Sequence, residues 1–240
     1  MPKRCFIITG TSKGIGESLA RTLLARGDRV VGISRREAGS LDQCPGYTHV
    51  AFDLMQTAGL EPMLQSILGR INPEDLDMIG LVNNAAMLEP LRRIEAIRPE
   101  EMEANLRVTL MAPMILTAVF TRETKAWDLR KKAIQVSSGS GSYANPGMSV
   151  YSAAKAGLNM FTMCAGTELA DSVEVIAIDP GMVDTSLQAS ARNKSGKEFE
   201  LAPYFEQAYR EGQLTSPDDI AKRIAEIIDA PMKSGSIAHC

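Results

Sequence analysis

Short apolar runs alternate with longer amphipathic stretches along all 240 residues of this chain. Cys5-Phe6-Ile7-Ile8 is uninterrupted apolar sequence, as a strand buried on both faces of a parallel sheet requires. Arg29–Ile33, Thr48–Phe52, Met78–Val82, Ala133–Ser137 and Val173–Ile178 repeat the pattern, and Gly235–His239 predicts a short last strand. Helices are predicted between them, first over Ile15–Arg26, where Gly27 falls at the position that closes a helix in a left-handed turn. Others are expected over Thr57–Ile71, over a long region Pro99–Thr124 that Pro113 kinks or shifts, from Tyr151 to Ala170, and over Pro203–Glu211 and Pro217–Asp229. This alternation predicts the α/β class: a doubly wound, mostly parallel sheet of about seven strands with helices on both faces.

No linker, repeat or low-complexity tract divides the chain, so residues 1–240 read as one domain. The least regular stretch is Thr185–Leu201, with Ser190-Ala-Arg-Asn-Lys-Ser-Gly-Lys197 inside it. A polar insert after a strand end predicts either a mobile substrate loop or a plain surface loop.

The formal net charge of -3 gives no footing for a nucleic acid or an anionic membrane as partner. No apolar run approaches the ~20 residues of a membrane span. The apolar run after Met-Pro-Lys-Arg stops too early for a signal peptide, and a cytoplasmic location is expected. Cys5, Cys44, Cys164 and Cys240 have no metal-type spacing, and Cys5 and Cys164 fall in apolar segments that predict core thiols. His49 and His239 are the only histidines, far apart, so neither a His-based zinc site nor a Ser-His-Asp triad is expected and no metal is predicted.

Candidate chemistry begins with Tyr151 and Lys155, four apart on a predicted helix and therefore on one face. An ammonium beside a phenol favours the phenolate and lowers its pKa. A tyrosine so placed can exchange a proton at neutral pH. At the other end of the chain, Thr9-Gly10-Thr11-Ser12-Lys13-Gly14-Ile15-Gly16 joins the first strand to the first helix. Glycines permit the tight turn and let backbone approach a pyrophosphate, while the helix N-terminus supplies N–H groups. After the second strand, where an NAD site carries an acid for the ribose, the chain reads Ser34-Arg35-Arg36. Two guanidiniums there, with Lys13 on the same side, favour the 2′-phosphate of NADP. Asp53, followed by Leu54, either accepts from an adenine amino group or caps the next helix.

With these residues in place, the chain resembles the short-chain dehydrogenase/reductase family over nearly its whole length, which implies a Rossmann fold and bound NADP(H). Thr9–Gly16 matches the family's Thr-Gly-x-x-x-Gly-x-Gly turn, and Asn83-Asn84-Ala85-Ala86 its Asn-Asn-Ala-Gly element with Ala86 in place of glycine. Asn105, in Ala104-Asn105-Leu106, falls where the family carries its catalytic asparagine. Ser138 stands thirteen residues before Tyr151, as the family's serine does, with Ser137 as its nearest rival. Pro180-Gly181 with Val183 and Thr185 matches the nicotinamide-side segment. The resemblance implies that Ser138 steadies charge on a substrate oxygen, Tyr151 donates the proton, Lys155 lowers the phenol pKa and holds the ribose, and Asn105 holds a water.

Within the family the likeness is to the sepiapterin reductase and bacterial benzil reductase branch. That implies NADPH-dependent reduction of one carbonyl of an aromatic or vicinal diketone. A 3-oxoacyl thioester reductase that docks a carrier protein through Arg92, Arg93, Arg192, Lys194 and Lys197 is the alternative, and a non-catalytic NADP sensor a third reading. Position places Met148, Met182, Leu187 and Tyr204 around substrate. A homodimer or homotetramer through the two long helices is implied by resemblance alone, since the same Met, Ala and Leu stripes suit intrachain packing.

Overall fold

The structure is a computed structural model that describes residues 3–240. Its strands are β1 (Arg4–Thr9), β2 (Arg29–Ser34), β3 (Tyr47–Ala51), β4 (Met78–Asn83), β5 (Arg130–Val136), β6 (Glu174–Asp179) and β7 (Ile237–His239). They form one sheet in the order β3-β2-β1-β4-β5-β6-β7, and every pairing is parallel. Parallel neighbours need crossovers; β2 reaches β3 by a loop, and the other connections carry the helices α1 (Gly14–Ala25), α2 (Leu60–Leu68), α3 (Pro99–Leu106), α4 (Ala112–Glu123), α5 (Ser149–Glu168), α6 (Ser186–Arg192), α7 (Ala202–Arg210) and α8 (Pro217–Asp229).

Successive residues of a strand point to opposite faces, and the central strands are apolar at both. Phe6, Ile8, Val82, Ile134 and Ile176 pack under α1 and α8, against Leu19, Ile220 and Ile224. Ile7, Ile79, Leu81, Ala133 and Val175 pack on the other face against Leu64, Leu116 and Phe120. Gly27 does close α1, at φ +86°, with the Asp28 N–H returning to the Leu23 carbonyl.

The long helical region is continuous over Pro99–Glu123 and by length and composition could cross a membrane, which the run of apolar residues alone did not suggest. It opens with Glu100, Glu101 and Glu103, and it buries Ala112, Leu116 and Phe120 against the sheet, as a core helix does. The break comes earlier than Pro113: Arg107–Met111 widens into a π-helical turn that shifts the register between α3 and α4.

Two expectations are corrected. Cys164 is exposed, because the α5 face it shares with Met160 and Met163 turns away from the sheet. The stretch Thr185–Leu201 is not structureless: Ser186–Arg192 is α6, started by Thr185, whose Oγ1 accepts from the Gln188 N–H at 3.3 Å. The turns after it are anchored by the fully buried Phe199, which packs in a small outer core with Leu88, Leu91 and Met148.

Candidate active site

All of the chemistry gathers at the C-terminal edge of the sheet, where the strand order reverses between β1 and β4. A cavity of about 790 Å³ opens there, running from the Gly10 turn past the ends of β4, β5 and β6 to α6 and α7.

Its floor at one end is the glycine turn. Gly10 and Gly14 have positive φ, +76° and +62°. A Cβ on Gly10 would stand 3.0 Å from Asn84 Nδ2 and 3.1 Å from the Ala85 Cα. Ser12, Lys13 and Ile15 line the same wall. Arg35, Arg36, Asp53 and Leu54 line the region beyond, with both arginines exposed. Asp53 turns its Oδ1 to the Met55 N–H at 3.0 Å, a local turn bond, and does not cap the next helix, whose first turn starts after Gln56. Asn84, Ala85, Pro180, Gly181, Val183 and Thr185 continue the wall. An elongated cavity with a glycine floor at a helix N-terminus fits a dinucleotide, and the residues present supply the contacts such a ligand needs.

Two residues expected to touch the cofactor do not line the cavity. A Cβ on Gly16 would meet the Gly10 carbonyl oxygen at 2.3 Å, so this glycine lets α1 press against the turn from behind. Asn83 is the last residue of β4 and alternation turns it inward, where Nδ2 donates to Gln135 Oε1 at 3.0 Å and Thr117 Oγ1 at 3.2 Å.

The same alternation separates the two candidate serines. The Ser137 hydroxyl donates to Asn159 Oδ1 at 2.5 Å in a buried contact with α5. Ser138 turns the other way, into the cavity that Tyr151 also lines, where its hydroxyl favours the ionised form of the Tyr151 phenol. Lys155 lies one helical turn beyond Tyr151, its Nζ 5.7 Å from the ring centroid and donating to the Val136 carbonyl at 2.6 Å. Both groups are buried.

Burial dominates their protonation, which overturns the expectation of a phenol pulled down by the lysine. Desolvation pushes Tyr151 up to about 12, against the Ser138 hydroxyl and helped by the charge of Asp179. Desolvation brings Lys155 down to about 7, with Asp179 opposing. An ammonium that is itself half-neutral near pH 7 gives the phenolate little help.

Asn105 is fully buried and does not line the cavity. Its Nδ2 donates to the carbonyls of Met87 and Glu89, at 2.6 and 2.7 Å. It therefore holds the segment after β4, whose Met87 and Leu88 form a cavity wall. Met148, Met182, Leu187 and Tyr204 line the substrate end as position suggested, joined by Phe205 and Ala191.

Asp179 and Glu37 were missed. Asp179 ends β6 beside Pro180, lines the cavity, and accepts from the Gly181 N–H at 3.0 Å. Its place as the last residue before Pro180-Gly181, one position past Ile178, which pairs with Val136 two residues before Ser138, was the available signal. Glu37 lines the cavity beside the two arginines and lies 3.6 Å from His49 Nδ1. A carboxylate is thus present in a corner that the sequence around Ser34 suggested was purely basic.

The short chain dehydrogenase family model matches residues 4–196. A benzil reductase forming (S)-benzoin from Bacillus cereus is 36% identical over 94% of this chain and 94% of its own. One from Bacillus subtilis is 31% identical, covering 97% of this chain and 96% of its own. Among solved structures, a short-chain dehydrogenase/reductase from Saccharomyces cerevisiae superposes with a TM-score of 0.85 at 22% identity, over 99% of this chain and 95% of that one. Sequence, fold and site converge, and the chain belongs to the short-chain dehydrogenase/reductase family of oxidoreductases.

Proposed function

We propose that this protein is an NADPH-dependent carbonyl reductase acting on one carbonyl of an aromatic or vicinal diketone. The observation that carries the reading is that Ser138, Tyr151 and Lys155 line the same cavity as the glycine turn and the apolar side chains Met87, Leu88, Met148 and Leu187. The likeness to two benzil reductases supports the substrate class.

When bound, the reduced nicotinamide supplies the hydride. The chain's own residues place and protonate the ketone. Ser138 Oγ accepts from the Ser140 N–H at 3.2 Å, which leaves its hydrogen to be donated to the substrate oxygen as negative charge develops. Tyr151, protonated at neutral pH and pushed further from ionisation by burial, holds the proton that this oxygen takes. Lys155, near its midpoint at pH 7, can return a proton to the phenol. Asn105 acts by fixing the Met87–Glu89 wall. Arg35 and Arg36 supply positive charge for the 2′-phosphate, with Glu37 drawn toward His49.

The carrier-protein alternative needs a free basic patch. Arg92 pairs with Glu101, Arg93 with Glu95 at 2.8 Å, Arg192 with Asp184 at 2.9 Å and Lys194 with Glu89 at 3.1 Å. Among the described residues only Lys197 of the five lacks a carboxylate partner, which favours a free small-molecule carbonyl. A homodimer or homotetramer through the long helical region Pro99–Glu123 and α5 is part of the proposal, because Met111, Met114, Met160 and Met163 are exposed there.

The test is NADPH oxidation by the purified protein against benzil, other 1,2-diones, sepiapterin and an acetoacetyl thioester, with NADH in parallel. Dione turnover with NADPH preferred is expected. Turnover of the thioester alone would overturn the substrate class, and preference for NADH would overturn the role of the arginines.

A further inference from the structure

Resting on that reading and going beyond it, we infer that Ser140 and Asn145 form a second oxygen-binding subsite, one that selects carbonyl substrates bearing another oxygen on the neighbouring carbon. Ser140 stands two residues past Ser138, in the single helical turn Gly139–Gly141, and Ser138, Ser140 and Asn145 all line the cavity.

The direction of each hydrogen bond is fixed by chemistry. Asn145 Nδ2 lies 3.3 Å from the Tyr143 carbonyl, which can only accept, so the amide nitrogen and not its oxygen faces that way. The same nitrogen lies 3.3 Å from Ser140 Oγ, so Ser140 accepts from it. Ser138 Oγ, in turn, accepts from the Ser140 backbone N–H. Each hydroxyl has a lone pair taken by a protein N–H and keeps its own hydrogen to give. Two such donors, two residues apart and both lining the cavity, are assigned to two oxygens on adjacent carbons.

The turn that carries them is held against the proton donor's helix. A Cβ on Gly141 would lie 2.8 Å from Asn159 Nδ2 and 2.9 Å from the Lys155 carbonyl carbon. No side chain can be inserted there without separating the turn from α5, so the spacing of Ser138 and Ser140 to Tyr151 is set by packing. The neighbouring walls are apolar, Met87, Leu88, Met148 and Leu187. A monoketone that presents hydrocarbon to Ser140 leaves its hydroxyl desolvated without a partner, which costs affinity, whereas the second oxygen of a diketone satisfies it.

The experiment compares kcat/KM for benzil with kcat/KM for 1,2-diphenylethanone, the same skeleton with one carbonyl replaced by methylene, using the full chain and NADPH. Ser140→Ala is expected to lower the benzil-to-monoketone ratio about tenfold. Asn145→Asp keeps the shape but makes the group an acceptor, which takes the Ser140 hydrogen away from substrate, and it should lower the ratio similarly. A role confined to filling space would leave that ratio unmoved in Asn145→Asp. Equal losses on both substrates in both variants, with wild-type benzil turnover intact, would overturn the subsite alone. Failure of the wild type to reduce benzil would overturn it together with the reading it rests on.

Discussion

Lys155 Nζ donates a 2.6 Å hydrogen bond to the carbonyl of Val136, the last residue of β5. That bond ties the helix carrying Tyr151 to the strand that delivers Ser138, so the proton donor and the oxygen-binding hydroxyl share one rigid frame. It also takes the lysine out of water. The cost of that burial shows in its protonation, and it makes the site's electrostatics measurable in the fold itself.

Burial brings the Lys155 pKa from its ordinary 10.5 to about 7. Between those values the unfolded chain binds more protons than the folded one, so stability rises with pH across that window. Tyr151 acts oppositely: raised from 10 to about 12, its phenol keeps its proton longer in the fold, and its contribution is lost only as pH climbs from about 10 through 12. Up to about pH 9.5 the lysine acts nearly alone. Relative to Lys155→Met, the wild type should gain on the order of 2–3 kcal/mol between pH 7 and about 9.5, read from urea midpoints. A difference that stays constant with pH would mean that Lys155 is charged in the fold.

Tyr151→Phe removes one oxygen from a buried ring and leaves the packing of the ring intact. Turnover should fall roughly 10²- to 10⁴-fold, the range expected for loss of a positioned proton donor. NADPH affinity, followed by fluorescence titration, should change by no more than about tenfold, since one hydrogen bond at most is lost. Turnover close to that of the wild type would assign the proton to another group.

Arg35→Ala should raise the KM for NADPH about tenfold or more and leave that for NADH nearly unchanged, because a guanidinium pairs with a phosphate and has no such partner in the NADH ribose. Glu37→Gln should move NADPH in the favourable direction by removing a like charge near the 2′-phosphate. Equal effects of Arg35→Ala on the two cofactors would remove it from phosphate recognition.

Much of this was legible beforehand because it depends on period and spacing. Alternating apolar runs gave the parallel sheet, Gly27 closed α1, and Ser138, Tyr151 and Lys155 met at one sheet edge. What could not be read is where alternation or burial decides. Asn83 and Asn84 are adjacent in sequence, yet the pleat sends Asn83 to Gln135 and Asn84 to the Thr9 carbonyl beside the cavity. Cys164 looked like core because its helix is apolar on more than one face. The phenol's pKa followed desolvation, which depends on everything packed around Tyr151 and not on the residue four places along. α6 was hidden because Ser190–Lys197 reads as polar loop, while its start depends on the Thr185 cap.

Lys132 is a final case of a residue whose role lies in the tertiary structure. It is the third residue of β5, near the strand's N-terminal end, and is only 1% exposed, an unusual place for a lysine. Its ammonium donates to the carbonyls of Ile227, Ile228 and Ala230, at 3.1, 3.0 and 2.9 Å, and pairs with Glu174 at 2.8 Å. Those carbonyls end α8, which has no basic residue in its last turn, so Lys132 supplies from the sheet the positive charge that a helix C-terminus favours. Lys132→Ala would strand three carbonyls and leave Glu174 unpaired. Because Glu174 is partly solvated, the expected loss is about 2–4 kcal/mol, below the upper range for a fully buried pair. Lys132→Met, which keeps the stem and loses the charge, should recover only the packing share of that loss. The active site lies at the opposite end of the strand, so kcat at a temperature where both variants remain folded should stay within about twofold of the wild type. A drop in kcat at full folding would show that α8 and the catalytic edge are coupled through β5 and β6.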